Sequence, residues 1–66
     1  MKGQYKLWIK VEKLLKEQQL SVYQLSKLTQ ISDSTLRNYK YKHSEISFKN
    51  ACKIADVLGV SLDELR

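Results

Sequence analysis

Four serines each precede a short run of residues with helical apolar spacing, and this repeated pattern constrains the fold more than any other feature. A serine at this position accepts a hydrogen bond from a backbone amide that the first helical turn leaves unpaired. Two of the four are followed three residues later by Gln24 or Glu64, which completes a capping box. The chain has no proline and only two glycines, so the pattern predicts an all-α fold. The four serines are Ser21, Ser32, Ser47 and Ser61.

The first three predicted helices span residues 5–18, 21–30 and 32 to 40 or 41. Each carries apolar residues spaced three or four apart, which would form one buried stripe. The lysines of the first helix lie mostly off its stripe and are interpreted as a solvated face. The stripe residues are Leu7, Trp8, Val11, Leu14 and Leu15 in the first helix, Leu25 and Leu28 in the second, and Leu36 and Tyr39 in the third.

Two further helices follow a polar loop at residues 41–45. Ser47 begins the fourth helix, and Gly59 stands where a left-handed residue would end it. Ser61 begins a short fifth helix that contains Leu62 and Leu65. The sequence therefore predicts five helices in a single domain, residues 1–66. The apolar face of the fourth helix would consist of Phe48, Ala51, Cys52, Ala55 and Leu58.

Composition narrows the classes of function. The formal net charge is +5, which suggests an anionic partner, with nucleic acid first and a membrane surface second. The single cysteine, Cys52, excludes an internal disulfide and fits a reducing cytoplasm. We find no apolar run long enough to span a membrane, no signal-peptide pattern, no set of catalytic groups and no metal-ligand cluster around His43. We therefore expect a cytoplasmic non-enzyme with no cofactor and no evident small-molecule ligand.

The second and third helices are joined by about three residues, which is the spacing of a helix-turn-helix. In that motif the first helix braces the second, which enters the major groove of DNA. Leu36 and Tyr39 would anchor the third helix from beneath, so other side chains project outwards. Arginine reads guanine, asparagine reads adenine, serine reads either, and aspartate accepts from cytosine. The candidate base-reading residues are Asp33, Ser34, Arg37 and Asn38.

The end of the third helix and the loop after it form a basic edge. Four basic residues and one acidic residue lie between Arg37 and Lys49. We expect Lys40, Tyr41, Lys42 and His43 to contact phosphates on the flank of the groove. Two positions keep an alternative: Asp33 could serve as a helix-start charge instead of reading cytosine, and Tyr41 could pack instead of binding phosphate.

Two stretches resemble a known family. They are LSVYQLSKLTQISDSTLRNYK at residues 20–40 and KIADVLGVSLDEL at residues 53–65. Both are similar to the lambda-repressor-like, Cro-type (xenobiotic-response-element) helix-turn-helix domain, and the resemblance covers residues 8–65. It implies five helices, a homodimer on a palindromic operator in double-stranded DNA, and repression or autoregulation. It also implies that Asp33, Ser34 and Asn38 occupy base-reading positions. The resemblance further implies that Ser21, Val22 and Ser32 lie at helix starts near the DNA phosphates.

The chain departs from the family pattern at three positions. The turn glycine is replaced by Gln30, which either adopts a strained left-handed conformation or changes the turn. Glutamines that are frequent at the starts of the second and third helices are replaced by Val22 and Asp33. The first change removes a phosphate clamp, and the second places an anion near a polyanion.

The sequence leaves alternatives open both for the residues of the dimer surface and for the class of partner. We expect the dimer to pair through the end of the fourth helix and the fifth helix, at Val60, Leu62 and Leu65, although Leu62 or Leu65 could instead close the core on the first helix. A protein-binding module on the same fold is the rival function, as an antirepressor partner, antitoxin or adaptor. Such a module should present apolar residues on the outward face of the third helix.

A membrane-surface peptide is disfavoured because the core needs the apolar stripe of the first helix.

Overall fold

A computed structural model describes the backbone of residues 2–65 and the side chains of residues 6–65. Met1 and Arg66, the ends of the predicted domain, lie outside the described residues. The described part contains five helices and no strand, which confirms the all-α prediction. None of these helices combines the length and apolar character needed to cross a membrane. The helices are α1 (Lys2–Glu17), α2 (Val22–Thr29), α3 (Asp33–Tyr41), α4 (Phe48–Leu58) and α5 (Leu62–Leu65).

The core forms where α1 crosses the other helices. α1 packs against α3, α4 and α5, while α2 packs against α3 and α4. The predicted stripe of α1 is confirmed: Leu7, Trp8, Val11 and Leu15 are buried, and Leu14 is half-buried. Since this stripe is covered by three helices, α1 is an integral part of the fold.

The serine caps are confirmed at α2, α3 and α4. In each case the serine hydroxyl accepts a hydrogen bond from the backbone amide three residues later. Ser21 and Gln24 form the complete capping box. At α5 only half of the box is present: the Glu64 carboxylate accepts from the Ser61 amide at 3.1 Å. The amide of Glu64 donates to the carbonyl of Ser61 rather than to its hydroxyl, and α5 is a single turn.

A residue in the left-handed region follows each of the first four helices. Gly59 adopts φ 75° after α4, as predicted. The other three positions are occupied by residues with side chains: Gln19 (φ 58°), Gln30 (φ 62°) and His43 (φ 54°). Left-handed backbone costs a residue with a β-carbon roughly 1–2 kcal/mol. The strained form of Gln30, one of the two predicted alternatives, is therefore the one that occurs.

The turn between α2 and α3 is held by short side chains of α2. The Ser26 hydroxyl donates to the carbonyl of Ile31 at 2.6 Å. The buried Thr29 hydroxyl donates to the carbonyl of Leu25 at 2.7 Å and accepts from the amide of Ile31 at 3.2 Å. Ile31 itself is buried in the core. These contacts fix the start of α3 against the end of α2.

Two apolar residues predicted to face the core are exposed instead. Successive residues on a helix are rotated by about 100°. On α4 the buried residues Ala51, Ile54, Ala55 and Leu58 define a face that leaves Phe48 and Cys52 to one side. Phe48 is 69% exposed, and Cys52 is only half-buried. On α2 the buried face runs through Leu25 and Thr29, which leaves Leu28 57% exposed.

Leu65 also departs from the expectation that it contributes to a dimer surface. Its side chain is completely buried, and α5 packs against α1 and α4. The alternative, closure of the core on the first helix, is the one that occurs. Val60 and Leu62 are partly buried against the same core and keep some exposed area.

Candidate nucleic-acid interface

α3 has one face in the core and the opposite face in solvent. Leu36 and Tyr39 are buried. The Tyr39 ring lies 6.0 Å from the ring of Trp8, and its hydroxyl accepts from the Asn50 side chain at 2.9 Å. α1 and α4 therefore both fix the rotation of α3 about its own axis. The exposed residues opposite this anchor are Ser34, Arg37, Asn38 and Tyr41.

The outward arc follows from helix geometry. At about 100° per residue, the four exposed residues fall within an arc of about 100°. The centre of that arc lies opposite the midpoint between Leu36 and Tyr39. An arc of this width can face the floor of one major groove, which admits a single helix. Three of the four predicted base-reading residues lie in it.

Asp33, the fourth predicted base-reading residue, lies on the edge of this arc. It is the first residue of α3 and is half-buried. Its carboxylate oxygen Oδ2 is 2.9 Å from Nε of Arg37, one helical turn away. The Arg37 side chain remains 67% exposed. Asp33 and Arg37, which were predicted from the sequence to contact bases independently, thus form an ion pair.

Lys40 and Tyr41 end α3 in different environments. Lys40 leans towards α1, where its Nζ is 3.4 Å from the carboxylate of Glu12. Its Nζ also lies 5.3 Å from the centre of the Tyr41 ring. Tyr41 is 71% exposed, so of the two alternatives for it, packing in the core is not the one that occurs.

A shallow groove joins the beginning of α2 to the outward side of α3. It brings together residues that were predicted to contact bases and residues that were predicted to contact phosphates. Ser34 and Asn38 do not line it; they lie on the exposed ridge of α3 beside it. The lining residues are Val22, Tyr23, Asp33, Arg37, Lys40 and Tyr41.

The remaining predicted phosphate contacts lie at the two ends of α3 and at the start of α2. Ser21 and Ser32 are exposed, and their hydroxyls cap α2 and α3. Lys42 and His43 are exposed in the chain that leaves α3. The exposed side of α3 is thus flanked by the starts of α2 and α3 on one side and by the segment that contains Lys42 and His43 on the other.

A protein-family model described as helix-turn-helix matches residues 11–65, which is most of the chain. The chain belongs to the Cro-type helix-turn-helix family. Members of this family are DNA-binding transcription regulators and are not normally enzymes, and the chain is a DNA-binding regulator in that general sense. No curated protein and no solved structure matches the chain significantly.

In this helix-turn-helix domain, the structure adds one residue that the sequence interpretation set aside. Lys16 was assigned to the solvated face of α1. It lines a cleft with Ser21, Val22 and Lys40, at the start of α2. The positive end of the α2 dipole, two lysine side chains and the Glu12 carboxylate that pairs with Lys40 therefore share one small region. Lys16 stands only five residues before Ser21, and that proximity across a tight turn is the one sequence signal that could have identified it.

Proposed function

We propose that this chain is a homodimeric repressor or autoregulator of bacterial or phage type, acting in the cytoplasm on a palindromic operator. The observation that carries the proposal is the outward arc of α3. Three of its four exposed residues, Ser34, Arg37 and Asn38, are polar or basic, and these side chains suit the edges of bases. The fourth, Tyr41, carries a hydroxyl that can donate to a phosphate. A protein-binding module would need apolar residues in this arc, so the chemistry of the arc favours DNA.

In the proposed complex α3 lies in the major groove and each residue of the arc has its own role. Asn38 pairs with adenine through its amide, and Arg37 pairs with guanine O6 and N7. Ser34, nearer the start of the helix, hydrogen-bonds to either kind of base. Asp33 belongs to the same candidate set, at the edge of the arc.

Phosphate contacts in the proposed complex come from both sides of α3. The amides at the starts of α2 and α3 point towards the backbone, where the helix dipoles favour an anion. Cationic and hydroxyl side chains add contacts that carry no sequence information. Lys40 must leave Glu12 to take part. The proposed phosphate-contacting residues are Ser21, Val22, Ser32, Lys40, Tyr41, Lys42 and His43, to which we add Lys16.

The homodimer is supported by the size of the domain. Its Cα atoms extend 26 Å along the longest axis, less than the roughly 34 Å between successive half-sites on one side of B-DNA. One domain can therefore present α3 to only one half-site. The half-exposed Val60 and Leu62 are the candidate dimer surface on this chain, without Leu65.

The first experiment selects sequences from a randomised duplex pool and then titrates the selected duplex at several salt concentrations. We expect one inverted-repeat sequence to be enriched, and we expect its affinity to fall steeply with salt. Failure to bind any duplex at low salt would refute the proposed function.

A matched pair of variants separates reading from phosphate binding. Asn38→Ala should cost about 1–3 kcal/mol per half-site of the selected duplex and relax the preference at one base pair in each half-site. Lys42→Ala should weaken selected and scrambled duplexes alike. It should reduce the slope of log K against log salt by about 1 for each protomer bound, hence by about 2 for a dimer. A change in sequence preference on Lys42→Ala would contradict its assignment.

A further inference from the structure

The ion pair at the start of α3 assigns Asp33 a role different from base reading. We propose that Asp33 is a positioning residue: it orients the guanidinium of Arg37 for guanine and makes no base contact of its own. The inference rests on the proposed function, because it concerns how the same helix reads DNA. In this proposal the Asp33–Arg37 pair acts together to select guanine.

The contact geometry favours this role. Oδ2 of Asp33 is 2.9 Å from Nε of Arg37, which is the distance of a charge-assisted hydrogen bond. Nε is the guanidinium nitrogen nearest to the backbone. A carboxylate on Nε does not occupy the terminal edge of the guanidinium, which is formed by the two Nη atoms. That edge carries the two parallel donors that fit guanine O6 and N7.

The positions of the two residues on the helix lead to the same conclusion. Arg37 is 67% exposed, whereas the Asp33 side chain is 32% exposed and much shorter. The arginine therefore reaches further from the helix axis than the carboxylate that supports it. If Asp33 accepted from cytosine instead, its oxygen would have to leave Nε, and Arg37 would lose the contact that limits its rotamers. The observed pairing is compatible with guanine reading by Arg37 and competes with cytosine reading by Asp33.

The pair also affects binding to DNA that lacks the right base. A carboxylate at the start of α3 repels phosphates, and it offsets the charge of Arg37 wherever the arginine has no guanine. Non-specific binding is almost entirely electrostatic, so Asp33 should lower it. Removing this carboxylate should therefore have opposite effects on two kinds of duplex: weaker preference for guanine, and stronger binding to a scrambled sequence.

The test compares wild type, Asp33→Asn, Arg37→Ala and the double variant. Each is titrated against the duplex that the wild type selects from a randomised pool, against the same duplex with one guanine replaced, and against a scrambled duplex. We expect Arg37→Ala to abolish the preference at one guanine, worth roughly tenfold to a hundredfold. Asp33→Asn should reduce that preference about twofold to fivefold and strengthen binding to the scrambled duplex about twofold. In the Arg37→Ala background, Asp33→Asn should change no base preference.

Asp56→Asn is the matched control. It also removes one carboxylate, here an exposed one on α4, beside Leu28 and Gln30 and away from the groove. It should leave the guanine preference unchanged. Circular dichroism and thermal unfolding of each variant check the fold. If Asp33→Asn unfolds the domain, Asp33→Ser replaces it, because serine also removes the carboxylate.

Two results would overturn the inference alone. One is an effect of Asp33→Asn on a base preference that persists in the Arg37→Ala background, since this indicates direct reading by Asp33. The other is an equal weakening of all three duplexes, since this indicates a role only in stabilising α3. If the wild type selects no sequence at all, the proposed function fails, and this inference fails with it.

Discussion

Replacing Gln30 by glycine should stabilise the domain without changing its fold. Gln30 ends α2 at φ 62°, ψ 24°, and its amide donates to the carbonyl of Ser26 at 2.9 Å. A β-carbon in this conformation costs roughly 1–2 kcal/mol. Glycine removes that cost but loses about 0.5–1 kcal/mol through the greater freedom of the unfolded chain. The centres of these two ranges differ by about 0.75 kcal/mol, so we expect a net gain of about 0.5–1 kcal/mol in the free energy of unfolding.

Thermal unfolding followed by circular dichroism measures this gain. In a domain of this size, the expected stabilisation corresponds to a rise in Tm of roughly 2–8 °C. Two controls isolate the cause. Gln30→Ala keeps the β-carbon and should not stabilise the domain. Lys27→Gly places glycine at an exposed helical position and should destabilise it by roughly 1 kcal/mol.

Either of two results would refute the reasoning. An unchanged or lower Tm for Gln30→Gly, with helix content preserved, would mean that the turn holds no releasable strain. Equal stabilisation by Gln30→Ala would mean that the side chain, and not the left-handed backbone, is the cause. Because the cap hydrogen bond to Ser26 needs only the backbone, DNA affinity of the folded Gln30→Gly variant should match that of the wild type.

Two further predictions concern buried groups: a hydroxyl in the turn before α3, and a leucine of α5. Thr29→Val removes the hydroxyl that accepts from the buried amide of Ile31, and urea unfolding should show a loss of about 1–3 kcal/mol; an unchanged midpoint would show that the amide finds another partner. Leu65→Ala should cost about 2–5 kcal/mol because the side chain is fully buried. That loss should be independent of protein concentration, and a loss seen only where the chain self-associates would place Leu65 in an interface.

The helices and the orientation of α3 could be predicted because they depend on local interactions. A serine hydroxyl satisfies an amide three residues away, so Ser21, Ser32 and Ser47 mark helix starts before any tertiary contact forms. The buried pair Leu36 and Tyr39 sets which side of α3 faces solvent. The Asp33–Arg37 contact could also have been predicted from the sequence, because residues four apart on a helix are neighbours.

The errors concern apolar residues near the edge of a helical stripe. Phe48 and Leu28 fit the spacing of a buried face, yet both are exposed. The spacing of apolar residues locates the centre of a buried helical face, but it leaves the edges of that face uncertain by about one residue position. Which edge is covered depends on where the neighbouring helices cross. For α4 the covered edge contains Ile54, which is fully buried.

The sequence by itself therefore determined the five helices, the serine caps of α2, α3 and α4, and the chemistry of the exposed ridge of α3, because each depends on residues within one or two helical turns. Only the tertiary structure decided contacts between residues distant in the chain. It brought Lys40 into the same cleft as Lys16 at the start of α2, paired Lys40 with Glu12 and buried Leu65 against α1 and α4. The physical reason is that these contacts depend on the angles between helices. Those angles are set by packing of the whole core and by the left-handed residues Gln19, Gln30 and His43, not by any local pattern.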